Sequence, residues 1–359
     1  MGFRAPWVSS FGLFLIIIFL FSANGVVEAS SRRLLHRHHH GRGLHAAGFR
    51  PAKLFVFGDS YADTGNNKMN ESSWKVPYGV TFPGKPAGRF SSGRVLTDFL
   101  AKSVGLESPV PYQGRNMEDR RFNSGMNFAY GGTGVFDTTV AYPNMTTQIG
   151  LFKQLIDDGT FSAADLASSL TLVTLSGNDY SAYTDKNGLI PSALQEFIVS
   201  VVSQLGTNLK QLYELGARKV AVAALQPLGC IPRFTAVNSF QKCNDTLNSL
   251  VGFHNQLLQK AVSDLNNQTS SSTFVVVDLY TSFMSVLNST DSTFVDPLKP
   301  CCVGVSSGFN CGSVDADGTK KYTVCEAPES AFFWDMAHPT QAGWRAVYTS
   351  LSAALEQQL

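Results

Sequence analysis

The feature that most constrains this fold is a short apolar run, Leu54 to Phe57, that ends abruptly in Gly58, Asp59 and Ser60. Four consecutive apolar residues bounded by a proline and a glycine predict a strand buried on both faces, as in a parallel sheet. A turn and then a helix are expected to follow this strand. Because open α/β sheets bind their ligands beyond the carboxyl ends of the strands, Ser60 is a candidate nucleophile. The alternative is that Asp59 and Ser60 only cap a helix.

Similar short apolar runs recur along the chain and predict further strands of a parallel sheet. They are rich in branched residues, end in polar or glycine-containing turns, and lie at 126–129, 171–175, 220–225 and 273–277. Between them, apolar residues at helical spacing predict one helix at 191–215, with a proline in its first position, and another at 244–265. Alternating strands and helices predict a doubly wound α/β fold with helices on both faces of the sheet.

The first 50 residues differ in character from the rest of the chain. Residues 1–29 combine an early arginine, an apolar core and a small-residue pattern ending at Ala29, which predicts a cleaved secretory signal peptide. The core is shorter than the ~20 apolar residues of a membrane span, so an uncleaved anchor is the less favoured alternative. Residues 30–50 hold five of the seven histidines and no acid, which predicts a disordered linker or, alternatively, a metal-binding tail.

Residues 51–359 are predicted to form a single α/β domain, because α/β chains of this length often remain undivided. The first 50 residues carry six arginines and one glutamate, a net charge of +5, which leaves about −4 for the domain out of the chain total of +1. This balance gives no indication of a nucleic-acid partner. No transmembrane span is expected in the mature chain.

Cysteines and glycosylation sequons support passage through the secretory pathway. An even number of cysteines behind a signal peptide predicts disulfides of unknown connectivity, and a zinc site is the competing interpretation. The two adjacent cysteines are not expected to pair with each other. The cysteines are Cys230, Cys243, Cys301, Cys302, Cys311 and Cys325. The candidate glycosylation sites are Asn70, Asn144, Asn244, Asn267 and Asn288.

Beyond the linker only two histidines remain, His254 and His338. His254 lies on the apolar stripe of the second predicted helix, which indicates a core or boundary role rather than chemistry. His338 follows Asp335 by three residues and precedes Pro339, which keeps it out of helical geometry just before a helix predicted at 340–358. A carboxylate at that spacing can accept the imidazole N–H and fix its tautomer, as a general base requires. The alternative is a surface turn that only caps the helix.

Two further polar turns, at 127–134 and 176–179, follow predicted strands. Nucleophilic attack on an ester carbonyl places negative charge on oxygen, and the site must offer fixed hydrogen-bond donors to that oxygen. The backbone N–H of Gly132 and the side-chain amide of Asn178 are suitable donors, although ordinary turns also use these residue types. Both residues lie at strand ends or in adjoining loops, where a sheet can gather them with Ser60.

Four segments resemble, in order, the four sequence blocks of the SGNH hydrolases. They are Phe57-Gly-Asp-Ser60, Gly132 within 127–132, Gly177-Asn-Asp179 and Asp335-Met-Ala-His338. Over residues 52–356 the chain is similar to plant-type secreted GDSL esterases/lipases, whose further typical stretches match 88–94, 226–230 and 301–304. The second block lacks the serine found in other versions of it, which is a small departure from the family pattern.

The resemblance implies a flavodoxin-like three-layer α/β/α architecture with about five parallel strands, the SGNH hydrolase fold. It implies Ser60 as nucleophile, His338 as base and Asp335 as the residue that orients the base. The N–H groups of Ser60 and Gly132 and the side chain of Asn178 would form the oxyanion hole. No metal or organic cofactor is implied.

Three other motifs compete with these assignments and are set aside. The segment 304–308 satisfies G-x-S-x-G, but a proline and two cysteines precede it where a nucleophile elbow needs a buried strand, so a disulfide-tied loop is predicted around Ser306. The segment 315–318 faintly resembles a calcium loop, but its register places valine at the bidentate position. The segment 132–134 lacks the third glycine of a dinucleotide fingerprint.

The sequence therefore predicts a secreted serine carboxylester hydrolase, an esterase or lipase acting on an acyl or acetyl ester through an acyl-enzyme. One alternative is an acyltransferase acting on surface polyester or sugar alcohols, and another is a non-catalytic secreted binding glycoprotein. The expected partner is a small-molecule, lipid or polymer ester. The expected location is extracellular, with the vacuole or another secretory compartment as the alternative. Aromatic residues within 67–90 could line an acyl pocket or simply cover the core.

Overall fold

The computed structural model describes residues 49–116, 122–175, 177–290 and 293–359. The predicted signal peptide, and all but the last two residues of the predicted linker, lie outside these residues. The described residues form one compact unit. Within the described residues, none of the helices has the length and apolar character needed to cross a membrane.

The main sheet contains six parallel strands in the order β2-β3-β1-β4-β5-β6. Their bounds are β1 Leu54–Gly58, β2 Val110–Pro111, β3 Gly125–Asn127, β4 Leu170–Thr174, β5 Val220–Ala223 and β6 Phe274–Val277. Without the edge strand β2, this is the strand order of flavodoxin-like folds. The predicted flavodoxin-like sheet is therefore confirmed. The sequence analysis missed β2, because two residues including a proline are too short to show a strand pattern.

Nine helices accompany the sheet in the described part of the chain. They are α1 Leu96–Ser103, α2 Met145–Asp157, α3 Ala163–Ala167, α4 Asn178–Asn187, α5 Pro191–Glu214, α6 Pro232–Thr235, α7 Asp245–Thr269, α8 Leu279–Leu287 and α9 Gln341–Gln358. Helix α5 packs against α2, α4 and α7, whereas α9 packs against α1 and α8, which gives a helical layer on each face of the sheet. The three long predicted helices are confirmed as α5, α7 and α9.

Aromatic packing fixes the central strand β1. Phe55 and Phe57 face the same side of the sheet because they are two residues apart. The ring of Phe55 lies 4.8 Å from those of Phe152 and Phe161, and the ring of Phe57 stacks on Phe128 at 5.1 Å. Truncating a buried phenylalanine to alanine costs about 3–5 kcal/mol of stability. This cluster therefore anchors the strand that ends beside Ser60.

Three disulfides join the six cysteines, as predicted, and the two adjacent cysteines do not pair with each other. The pairs are Cys230–Cys243, Cys301–Cys325 and Cys302–Cys311. Cys301–Cys325 cross-links the ends of a short antiparallel pair, β7 Cys302–Gly304 and β8 Tyr322–Val324, and Cys302–Cys311 ties β7 to the loop that follows it. The segment 304–308 is confirmed as a disulfide-tied loop, and Ser306 within it is exposed.

Candidate active site

Ser60 lies in a tight turn at the carboxyl end of β1. A Cβ atom on Gly58 would fall 2.0 Å from the Thr174 carbonyl oxygen of β4, so only glycine allows the chain to leave the sheet here. The N–H groups of Ala62 and Asp63 then donate to the Asp59 carbonyl oxygen at 3.0 and 2.9 Å. The predicted turn after the strand is therefore present, but no helix follows it, so that part of the prediction is wrong.

The Asp63 carboxylate explains why no helix follows. Its Oδ1 accepts hydrogen bonds from the N–H groups of Gly65 and Asn66, both at 2.7 Å, which pulls the chain into a loop. Its Oδ2 accepts the Gly131 N–H at 3.0 Å. Burial raises the pKa of Asp63 to about 6, although these hydrogen bonds oppose the rise. Asp63 thus joins the Ser60 turn to the glycine loop that carries Gly132, a link that the sequence analysis missed.

The segment before α9 places a carboxylate and an imidazole side by side. Asp335 Oδ1 accepts the N–H groups of Ala337 and His338, both at 2.9 Å, which folds the chain back on itself. The same carboxylate lies 2.8 and 2.9 Å from His338 Nδ1. Thr340 then caps α9 by accepting the Gly343 N–H. The predicted pairing of Asp335 with His338 is therefore present, on a turn at the start of α9.

Tyr78 completes the surroundings of this carboxylate. Its hydroxyl donates to Asp335 Oδ2 at 2.7 Å across 257 positions of sequence. Burial and the nearby Asp335 raise the pKa of Tyr78 well above its ordinary value, so the phenol keeps its proton and remains a donor. Burial would raise the pKa of Asp335, but His338 and its other hydrogen-bond donors hold it below the ordinary value. No local sequence signal marks Tyr78, and the sequence analysis did not assign it to the site.

The Ser60 turn and the Asp335–His338 turn meet at the carboxyl edge of the sheet. Ser60 Oγ lies 2.7 Å from His338 Nε2. When Nδ1 carries its proton toward Asp335, Nε2 has a free lone pair and can accept the serine proton. Phe90 stacks on the imidazole at 5.1 Å and Tyr61 meets it edge-on at 5.9 Å, which holds the ring in this orientation. A hydroxyl, an imidazole and a carboxylate in this order suit nucleophilic acyl transfer.

Gly132 and Asn178 line the same cleft as Ser60 and His338, a cavity of about 260 Å³. Gly132 has a φ of +86°, which glycine adopts readily. Asn178 is the first residue of α4, and its Nδ2 donates to the Thr133 carbonyl oxygen at 2.9 Å and to Asp59 Oδ2 at 3.2 Å. The structure therefore places Gly132 and Asn178, the two residues predicted as oxyanion donors, in the cleft that Ser60 lines, with the asparagine amide oriented by contacts of its own.

His254 plays a structural part. It is buried in α7, with Nδ1 2.6 Å from the Tyr180 hydroxyl, and burial lowers its pKa to about 3. Its predicted role as a core histidine is confirmed.

In the segment 315–318, which faintly resembles a calcium loop in sequence, Asp315 pairs with Lys321 at 2.6 Å. Among the described residues, histidine, cysteine and acidic side chains form no group of three that could hold a metal ion.

The chain is similar to known proteins over most of its length. The family model of GDSL-like lipase/acylhydrolase matches residues 54–351. The Arabidopsis thaliana GDSL esterase/lipase At5g03610 is 55% identical over 88% of this chain and 90% of its own length. A second Arabidopsis thaliana relative, GDSL esterase/lipase At3g09930, is 50% identical over 86% of this chain and 89% of its own length.

Among solved structures, one similar chain is the extracellular lipase from Streptomyces rimosus. It is 13% identical, with a TM-score of 0.38, over 84% of this chain and 99% of that chain. The family match spans most of residues 49–359 and includes the four segments that carry Ser60, Gly132, Asn178 and His338. The chain therefore belongs to the GDSL-like lipase/acylhydrolase family and is a carboxylic ester hydrolase.

Proposed function

We propose that this protein is a secreted serine esterase that works through an acyl-enzyme formed on Ser60. The observation that carries the proposal is the 2.7 Å contact between Ser60 Oγ and His338 Nε2, with Asp335 against the opposite ring nitrogen. Nucleophile, base and orienting carboxylate are thus within hydrogen-bond reach of one another before any substrate arrives. This arrangement activates a serine that would otherwise be a weak nucleophile.

In the first step, Ser60 Oγ attacks the ester carbonyl carbon while its proton moves to His338 Nε2. The carbonyl oxygen becomes an oxyanion, which accepts hydrogen bonds from the N–H groups of Ser60 and Gly132 and from the Asn178 amide. The oxyanion would compete with Asp59 for the Asn178 N–H that makes the longer contact, at 3.2 Å. The carbon–oxygen bond to the alcohol then breaks, and His338 returns the proton to the departing alcohol oxygen.

In the second step, water attacks the acyl-enzyme and gives its proton to His338. The new tetrahedral intermediate collapses to the free acid, and Ser60 regains its proton. During both steps Asp335 faces a positively charged imidazolium. Its lowered pKa means that it stays ionised and stabilises that charge, and its contact with Nδ1 keeps the useful tautomer.

The test measures hydrolysis of p-nitrophenyl esters of increasing acyl length by the wild type and by Ser60→Ala, both secreted with their disulfides formed. A fluorophosphonate probe and peptide mass mapping would locate the reactive serine. We expect activity in the wild type alone and labelling at Ser60. Labelling at another serine, or equal activity in both proteins, would overturn the proposal. Added alcohol that diverts most of the acyl group from water would identify an acyltransferase instead.

The secreted location and the glycosylation sites belong to the same proposal. Three disulfides suit an oxidising compartment. Of the five sequon asparagines, Asn70, Asn267 and Asn288 are exposed, whereas Asn144 and Asn244 cap helices α2 and α7 with their side chains. We expect glycans at the three exposed sites. Glycosidase treatment of the secreted protein, followed by peptide mass mapping, checks this expectation.

A further inference from the structure

A second and larger cavity, here called the ring cavity after the aromatic rings in its walls, opens beside the cleft at Ser60. Its volume is about 700 Å³, and it is lined by loop residues within 64–69, 87–89, 108–114 and 141–143 together with Trp74 and Tyr130. Asn67 and Tyr142 line both this cavity and the cleft, so the two spaces adjoin. Ser60 and His338 do not line it. Ligand sites are typically of this size, so the cavity can hold a part of the substrate that does not react.

The walls of the ring cavity combine aromatic faces with hydrogen-bonding groups. The rings of Tyr130 and Tyr142 stack at 5.8 Å, and the Trp74 Nε1–H donates to the Asn67 carbonyl oxygen at 2.8 Å. Lys68 is exposed and its ammonium lies 5.9 Å from the Tyr142 ring. The Trp74 N–H is already bonded and Lys68 is exposed, so neither group requires a ligand, but a straight alkyl chain would offer no hydrogen bonds to the polar part of this wall. A hydroxylated ring matches both features, because its C–H face packs on aromatic rings while its hydroxyls meet polar groups.

Asn67, at the junction of the two spaces, supplies independent support. The side chain is 5% exposed, and its Nδ2 donates to the Gly131 carbonyl oxygen at 3.3 Å. Its Oδ1 is buried and has no hydrogen-bond partner among the described residues. Buried polar atoms are normally paired, so this acceptor is suited to a donor brought by a ligand. A hydroxyl close to the ester linkage would provide that donor after a small rotation of the amide.

We propose that the ring cavity binds the sugar ring of an acylated carbohydrate, with the ester carbonyl reaching Ser60 past Asn67. The proposal rests on the esterase function proposed above and names the alcohol half of its substrate. The acyl half is then short or directed elsewhere, because the sugar occupies a cavity larger than the cleft itself. Hydroxyls on the ring give the ligand the hydrogen-bond donors that a fatty alcohol lacks.

The test compares two acetate esters that differ only in the alcohol, ethyl acetate and methyl 6-O-acetyl-β-glucopyranoside, by acetate release from the secreted full chain. We expect the wild type to favour the sugar ester by at least about tenfold in kcat/KM, the size of one or two lost contacts. Ala141→Trp places a bulky side chain at an exposed position of the cavity wall. It should remove most of that preference while ethyl acetate hydrolysis stays unchanged.

A second variant with a smaller change in side-chain volume tests the same site in case Ala141→Trp misfolds. Lys68→Met keeps the length of an exposed side chain and removes its ammonium, and it should raise KM for the sugar ester alone. Lys102→Met, on the exposed surface of α1, is the matched control and should change neither substrate. Binding of methyl β-glucopyranoside to Ser60→Ala, followed by tryptophan fluorescence, gives a readout that does not depend on turnover.

The outcomes separate the two proposals. If the wild type hydrolyses neither ester nor any p-nitrophenyl ester, the esterase proposal itself fails. If the wild type hydrolyses both esters with equal kcat/KM, the sugar proposal is wrong and the esterase proposal stands. The same holds if Ala141→Trp and Lys68→Met lower both rates equally. If Ala141→Trp instead abolishes hydrolysis of long-chain acyl esters only, the cavity is an acyl site, which also overturns the sugar proposal.

Discussion

Two serine-bearing turns of this molecule look equally promising as short motifs but differ in everything around them. Ser60 follows β1, a strand buried along its whole length between two parallel neighbours, and only 6% of the residue is exposed. Ser306 follows β7, a three-residue strand with one antiparallel partner, and is exposed. A base stands 2.7 Å from Ser60, on a segment 278 positions away in sequence. The difference shows that a buried parallel strand and a base within hydrogen-bond distance, rather than a short motif, make a serine a candidate nucleophile.

The disulfide-tied region, residues 301–325 enclosed by the Cys301–Cys325 disulfide, nevertheless contributes to the site by supporting His338. The N–H groups of Cys301 and Cys302 donate to the carbonyl oxygens of Phe333 and Trp334 at 3.0 and 2.6 Å, just before Asp335. Each of these cysteines is fixed by its own disulfide. The disulfide-tied region therefore holds the segment that leads into the Asp335–His338 turn, whereas the sheet holds Ser60.

The largest expected effect is on kcat and comes from removing the hydroxyl of Ser60 rather than that of Ser306. Ser60→Ala should lower kcat for p-nitrophenyl ester hydrolysis by about 10⁶, as for other serine hydrolases that lose their nucleophile. Ser306→Ala should leave kcat within about twofold, because surface changes away from a site are usually neutral. Steady-state kinetics on both purified variants checks this. The reverse order of the two effects would make Ser306 the nucleophile.

The second expectation concerns the carboxylates of the two regions. Asp335→Asn should lower kcat by about 10⁴, because the imidazole then adopts the wrong tautomer. Asp315→Asn, in the disulfide-tied region, removes the charge that pairs with Lys321 but keeps an oxygen for the Thr319 N–H, and it should have little effect on kcat. Both rates are measured at one pH with thermal melts recorded in parallel. A loss below tenfold in a folded Asp335→Asn protein would contradict the orienting role.

A smaller effect is expected from the proposed oxyanion donor. Asn178→Ala should lower kcat by about 10²–10³ with KM nearly unchanged, because the lost hydrogen bond forms mainly in the transition state. Asn187→Ala, at the opposite end of the same helix and exposed, is the matched control. Unchanged turnover in Asn178→Ala would remove that amide from the oxyanion hole and leave the backbone donors alone.

The smallest expected effect is a pH dependence of stability. The pKa of Asp63 is raised from 3.8 to about 6 in the folded protein, so the folded state holds this proton more tightly than the unfolded chain does. The stability linked to that proton is full below about pH 4 and is lost as the pH rises through about 6. The loss in the free energy of unfolding is about 3 kcal/mol, because each pKa unit corresponds to about 1.4 kcal/mol.

Urea unfolding of the wild type and Asp63→Asn between pH 4 and 7 measures this contribution. The free energy of unfolding of the wild type, relative to the variant, should fall as the pH rises. Asp317→Asn is the control from the disulfide-tied region, because that exposed carboxylate has a pKa of about 2 and titrates below the window. Parallel pH curves for the wild type and Asp63→Asn would show that Asp63 does not titrate in this range.

Local patterns in the sequence were sufficient to predict most elements of the fold. The apolar run at β1 predicts a buried strand because four consecutive apolar side chains satisfy both faces of a parallel sheet. Helices α5 and α7 repeat apolar residues at helical spacing over six turns or more, a signal that outweighs local propensity. The Asp335–His338 pair is also local, since three residues separate its members and Pro339 restricts the chain between the pair and α9.

Contacts between distant residues decided the rest. The helix expected after Ser60 does not form because Asp63 bonds to Gly131, 68 positions away, and its carboxylate draws the chain into a loop. Tyr78 reaches Asp335 across 257 positions, and no spacing rule describes such a pair. Disulfide connectivity likewise depends on which cysteines the fold brings together.

The sequence by itself thus determined five strands of the main sheet, the long helices and the residue types of the site, because each rests on neighbours within a few positions. Only the tertiary structure decided that Ser60 meets His338, that Tyr78 and Asp63 support them, and that the ring cavity adjoins the cleft. Those arrangements depend on closing long loops. Their free energy comes from packing the whole sheet and its helices rather than from any one segment.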